Sequence, residues 1–185
     1  MNGRFDFIEN DTLKENIAIY VQYIVFLVSI EEEYDVGILT YSIYKDIVMH
    51  TAHVVESLIN YKLQKLISDG DIAELDLVGY SDKFTNKKMI HRCDDSDDVY
   101  CFVRLSKTKN KIKGDTKFLE LNRAGKKSGL LTTQMFTDCE NIREMRNRIH
   151  LSGLSGVDDK YSKKDIVRIF KITERLIDRV RDFDI

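Results

Sequence analysis

Apolar positions recur at helical spacing in several long stretches of the chain. Between Ile38 and Ile67 they fall at Ile43, Ile47, Val48, Val54, Val55, Leu58, Ile59, Leu63, Leu66 and Ile67. These steps of three and four predict one long amphipathic helix, which Asp69-Gly70-Asp71 ends. The run Ile17–Ile30 is apolar almost throughout, and the capping pattern Thr12-Leu-Lys-Glu15 precedes it. Together they predict a helix over about 13–30. The run is shorter than the roughly 20 apolar residues that cross a bilayer, so a buried core helix is expected rather than a membrane span. Ser162 with Asp165 caps a last helix over about 163–183, with the stripe Ile166, Ile169, Phe170, Ile172, Leu176, Ile177 and Val180.

The middle of the chain has a different pattern. LDLVGY (75–80) and VYCFVRL (99–105) cluster or alternate β-branched and aromatic residues, and KKMIHRC (87–93) reads as a third short strand. Asp94–Asp98 between the last two is a turn signal. A small hairpin or three-stranded insert is expected there, passing into a lysine run. A short helix follows over 116–124, ending at Gly125. GLLTTQMF (129–136) continues as helix or turn. Thr137-Asp-Cys-Glu140 is a further capping box, starting a helix that reaches about His150 and stops at Ser152-Gly153.

Composition narrows the class. The 185 residues include no proline and only 9 glycines, so nothing forces long helices to break, and a loop-rich β-sandwich is disfavoured. The 3 cysteines, Cys93, Cys101 and Cys139, are widely spaced and form no disulfide framework; they suit a reducing, cytoplasmic setting. The amino terminus lacks the layout of a signal peptide. Net charge is −2, yet the charge is uneven. Residues 1–98 sum to −10, residues 99–148 to +7 and residues 149–185 to +1. A polyanion responds to such a local patch and not to the overall balance. The same patch also reads as a solvated lysine-rich loop.

The segment NIREMRNRIHL (141–151) carries the most specific chemistry. On a helix Arg143, Arg146, Asn147 and His150 share one face, while Ile142, Met145 and Ile149 supply the other. Two guanidiniums, an amide and an imidazole on one stripe repel or desolvate one another unless an anion answers them. Histidine can exchange a proton near neutral pH. Arginine presents a planar fork to phosphate oxygens and keeps its charge. Such a set suits phosphodiester cleavage, in which a guanidinium stabilises the charge that develops on phosphorus. An exposed basic helix making surface ion pairs is the alternative reading.

The R-x6-H spacing of Arg143 and His150, with Arg146-Asn147 inside it, resembles the R-x(4–6)-H signature of HEPN domains. TAHVVESLINYKL (51–63) is similar to the family's long helix, whose glutamate packs across the motif helix. Helix order also agrees, over about 38–68 and 115–183. The departure is that Arg146-Asn147 stands only R-x3-H from His150, so either Arg143 or Arg146 could be the working arginine. The resemblance implies an all-α, HEPN-like up-down bundle of four to five helices, one domain over 1–185, with a variable insert at about 74–113. It implies a metal-independent endoribonuclease that uses the ribose 2′-hydroxyl and leaves 2′,3′-cyclic phosphate and 5′-hydroxyl ends. Its partners would be RNA and a second copy of the chain, in a homodimer with a composite active site. Such proteins are often toxins of toxin–antitoxin or phage-defence systems, some neutralised by a small nucleotidyltransferase. Others have lost catalysis and bind nucleotides or proteins.

On this reading Arg143, His150, Asn147 and Arg146 are catalytic, and Glu56 and His53 stand behind them. Lys107, Lys109, Lys111, Lys113, Lys117, Arg123, Lys126 and Lys127 form the RNA-binding patch. No cofactor, metal or membrane is expected. His50, His53 and Glu56 could be ligands on one helix, but the third lies about 120° from the first, so a polar network in the core is the simpler account. His91 with Cys93 and Cys101 lacks a paired CxxC. Asp94–Asp98 lacks the glycine and distal glutamate of a calcium loop, and no glycine-rich phosphate loop is present.

Overall fold

The computed structural model describes residues 3–92, 98–148 and 161–184, those of 80–92 and 98–109 by backbone alone. It is predominantly helical: α1 is Asp11–Glu33, α2 Thr40–Ser68, α3 Glu74–Val78, α4 Phe118–Lys127, α5 Thr133–Asn147 and α6 Lys163–Asp182. Between α3 and α4, β1 (Tyr80–Arg92) pairs antiparallel with β2 (Asp98–Lys109).

The periodic stretch expected at 38–67 forms α2, entered through a 3₁₀ turn at Gly37–Leu39. Helix α2 is the hub, packing against α1, α4, α5 and α6. Val48, Val55, Leu58, Ile59 and Leu63 have no exposed surface. Against them pack Leu121 of α4, Ile142 of α5, and Ile169 and Leu176 of α6, all within one core. At Gly125 an added Cβ would stand 3.0 Å from the Leu131 side chain, so the absent side chain lets the turn after α4 close down on it. Gly129 then takes φ 78° to reverse the chain into α5.

The structure differs from the sequence expectations in six places. Helix α1 is not a buried core helix. Only Ile17, Ile24 and Leu27 are buried, while Ile19, Tyr23, Val25 and Phe26 are exposed on its outer side. At 23 residues it is long and apolar enough to cross a bilayer by length and composition. Its cap is Asn10, whose side chain accepts from the Leu13 amide, and not Thr12. LDLVGY starts as helix α3, not as a strand, because a one-turn helix seats Leu77 in the core. KKMIHRC is not a third strand: residues 87–92 are the end of β1. Helix α4 runs past Gly125 to Lys127, and α5 starts at Thr133 behind a Thr132 cap. Thr137 is therefore interior, and its hydroxyl donates to the Thr133 carbonyl. The Ser162–Asp165 capping box at α6 is present with both reciprocal bonds.

Because α2 is packed on so many sides, it has little room to collapse around a void. Leu58→Ala should lower unfolding free energy by about 3–5 kcal/mol, the upper range for a buried leucine truncation. Urea denaturation of the two proteins checks this through the shift in midpoint at unchanged slope.

Candidate functional site

Helix α5 presents Arg143, Arg146 and Asn147 to one groove of about 1100 Å³, whose other walls come from α1, α2 and the connection before α4. Arg143 and Arg146 follow from their spacing with Ile142. That side chain is wholly buried, while Arg143, with Arg146 and Asn147 three and four positions further on, makes up the adjoining stripe that lines the groove. The tyrosine hydroxyl of Tyr161 donates to the Met145 carbonyl at 2.6 Å, tying the chain before α6 to the carboxyl end of α5. His150, Ile149 and the Ser152-Gly153 stop lie outside the described residues.

Both guanidiniums are answered from within the protein. The Glu56 carboxylate of α2 accepts from Arg146 Nη1 at 2.8 Å across the groove. The Glu140 carboxylate accepts from Arg143 Nε at 3.0 Å and Nη2 at 2.9 Å, one turn earlier on α5. Glu140 also accepts from the amide of buried Asn122 on α4 at 2.6 Å. A guanidinium carries five donors, so each arginine is oriented by its partner while retaining donors for an anion in the groove. Burial holds the Glu56 carboxyl above its usual range, against the opposing pull of Arg146. The sequence placed Glu56 behind the motif. It gave no role to Glu140 or Asn122, although Glu140 stands three residues before Arg143, a spacing that pairs side chains on a helix.

His53 lines the same groove, one helical turn before Glu56. Its ring lies edge-on to Tyr20 of α1, with centroids 6.0 Å apart, and 6.3 Å from that of His50. His50 in turn packs edge-on against Tyr20 at 5.1 Å and Tyr23 at 4.9 Å. The Nδ1 atoms of both histidines are buried without a hydrogen-bond partner among the described residues. Desolvation, with the Arg146 and His50 charges adding to it, lowers the His53 pKa from 6.5. Among the described residues no group of three or more His, Cys, Asp or Glu stands together as ligands would.

The basic segment forms a second groove of about 1370 Å³, which includes Lys111, Lys113, Lys117, Arg123, Lys126 and Lys127. It shares Asp115, Thr116 and Lys117 with the first groove, so the two are continuous. The connection between β2 and α4 is pinned at two adjacent residues near its start. The Ile112 amide donates to Glu74 Oε1 at 2.8 Å, and Asn60 of α2 donates to the Lys113 carbonyl at 3.0 Å. Two of the cations are partly engaged: Lys127 donates to the Leu77 carbonyl, and Lys126 lies 4.8 Å over the Phe136 ring. Lys107 and Lys109 belong to β2, where they pair with Asp82 and Tyr80 in the backbone ladder. Cys139 is buried, and its thiol is pushed up to about 12, so it is inert as a nucleophile.

No protein-family model matches the chain, and no curated protein or solved structure is significantly similar to it.

The groove makes a pH-dependent contribution to stability. The fold favours neutral His53, whereas the unfolded imidazole takes up its proton near pH 6.5. The unfolded chain therefore binds more protons as pH falls through that value, and the contribution of His53 is present above it and declines below it. Glu56 acts in the opposite sense, since the folded carboxyl holds its proton to a higher pH than the ordinary 4.5. Urea midpoints at pH 5.5 and 7.5 should differ by less in His53→Gln than in the parent. Arg146→Met should raise the Glu56 pKa further, read by carbon-13 NMR of the carboxyl, because only desolvation then acts on it.

Proposed function

We propose that this chain is a metal-independent endoribonuclease of the HEPN type, acting as a toxin or defence effector. The observation that carries the reading is the convergence of Arg143, Arg146 and Asn147 in one groove. There Glu56 of α2 grips Arg146, and a lysine-rich groove runs in through Asp115–Lys117. This is the juxtaposition that the resemblance of 51–63 and 141–151 implies. Phosphates of an RNA strand would follow the lysines, and the scissile phosphate would sit against the two guanidiniums. The ribose 2′-oxygen would attack phosphorus, closing a 2′,3′-cyclic phosphate and releasing a 5′-hydroxyl. The arginines would stabilise the extra negative charge of the pentacovalent state. Asn147 would hold a non-bridging oxygen or the sugar.

The homodimer with a composite site draws support from α1. Its outer face exposes Ile19, Tyr23 and Phe26, while the adjoining stripe of Asn16, Ile17 and Tyr20 lines the groove. A second copy seated on that outer face would stand at the rim of the site. The antitoxin, a small nucleotidyltransferase on this reading, would have to cover the groove or keep the copies apart.

One observation favours a second reading. Each motif arginine already has an internal carboxylate, as in a domain that keeps the arrangement for binding a nucleotide or protein without cleaving.

Incubation of total RNA with purified protein in excess EDTA separates the two. The first reading expects fragments with cyclic-phosphate ends, and cleavage at least 100-fold slower for Arg143→Ala, Arg146→Ala and His150→Ala. The second expects intact RNA from parent and variants alike. RNA affinity should fall steeply with salt on the first reading. Replacing Lys111, Lys113 and Lys117 together by alanine should flatten the log–log salt slope by about 2, since single-strand binding contributes about 0.7 per neutralised phosphate.

A further inference from the structure

His53 was expected to stand behind the motif. In the structure it lines the groove itself, with Arg143, Arg146 and Asn147. Among the described residues it is the one imidazole that does so, since His50 is not part of the lining. Helix periodicity sets it one turn from Glu56, whose carboxylate is 2.8 Å from Arg146. Its ring is braced rather than free: Tyr20 meets its edge from α1 and His50 stands behind it on α2. A braced imidazole that shares a groove with two guanidiniums, and feels the charge of Arg146, has the chemistry a proton-transfer group needs beside an anion-binding fork.

We propose that His53 is the general base of this groove, taking the proton from the ribose 2′-hydroxyl while Arg146 holds the phosphate. The inference rests on the endoribonuclease reading and deepens it, because it names the proton acceptor. In the step, the 2′-hydroxyl proton passes to the imidazole and the 2′-oxygen forms its bond to phosphorus. The bond from phosphorus to the 5′-oxygen breaks, its electron pair leaves with that oxygen, and the oxygen is protonated from water. The imidazolium then returns its proton to solvent, so atoms and charge balance and nothing is oxidised or reduced.

The surroundings keep the base in its accepting form. Tyr20 from α1 and His50 from α2 stand against the His53 ring, and the titratable and charged groups that line the groove with it are Glu56 from α2, Arg143 and Arg146 from α5, and Asp115 and Lys117 from the connection before α4. Its buried Nδ1 has no acceptor among the described residues, so nothing there stabilises the doubly protonated ring. Burial and the Arg146 charge act in the same direction. Neutral imidazole is therefore the resting state at pH 7.

The experiment is single-turnover cleavage of a short RNA in EDTA by parent, His53→Gln and Arg146→Ala, from pH 5 to 8, with RNA affinity measured beside it. Glutamine keeps the polarity and bulk but accepts no proton. The expected result is a loss of about 100-fold or more in rate for His53→Gln, at unchanged affinity. The acid limb seen in the parent below pH 6.5 should be absent in the variant. Carbon-13 NMR of the His53 Cε1 in the parent should give a pKa equal to that of the acid limb. This keeps the proposal testable if the variant folds poorly. Parental rate in His53→Gln, or an NMR pKa that differs from the kinetic one, overturns the role of His53 while the nuclease reading stands on Arg146→Ala. An inactive parent overturns both.

Discussion

Burial of α2 on most of its sides is the constraint from which the remainder of the structure follows. Twelve of its 29 residues are buried, and the chain before and after it must supply the covering helices. Helices α1, α4, α5 and α6 do so. A polar side chain on such a helix has few directions open to it. Lys62 reaches Asp184 at 3.7 Å beyond the end of α6. His53, Glu56 and Asn60 line instead the cleft between α1, α5 and the connection before α4. The groove is thus the side of α2 that packing left uncovered.

That origin explains the electrostatics of the cleft. Arginines placed on a half-buried face need carboxylates, because an unanswered charge there costs several times an exposed one. Glu56 and Glu140 supply them from different directions, one across the groove and one along α5. The pairing orients the guanidiniums before any ligand arrives, so on the proposed nuclease reading a phosphate would meet donors already aimed. It also sets a condition on the ligand, which must share each arginine with a carboxylate or displace it. On that same reading a polyanion drawn in along the lysines of the adjoining groove would meet the condition better than a lone small anion, since several weak contacts add along one strand.

The outer side of α1 has a related cause. The helix contributes Ile17, Ile24 and Leu27 to the core, and the hub helix leaves it only one packed face. The apolar residues on the opposite face, Ile19, Tyr23, Val25 and Phe26, remain exposed, because no other helix among the described residues packs over them.

Much of the helical layout was legible in the sequence. The three- and four-residue spacing from Ile43 to Leu66, the Ser162–Asp165 box and the absence of proline all report local physics that operates before any tertiary contact forms. So does the shared face of Arg143, Arg146 and Asn147. Local signals misled where packing competes with them: Leu75–Val78 has strand-like residues but coils to bury Leu77, and Thr137 is a good cap that lies inside a helix started by Thr132. The apolar run of α1 could not say which of its sides would be covered, because hydrophobicity is a property of the residue and burial a property of its neighbours. Likewise the pairing of Arg146 with Glu56, 90 positions away, which the family resemblance suggested and no local spacing did, and the entry of His53 into the same groove follow from α5 crossing α2. Long-range partners of that kind are chosen by the packing of whole helices, and no short-range pattern encodes them.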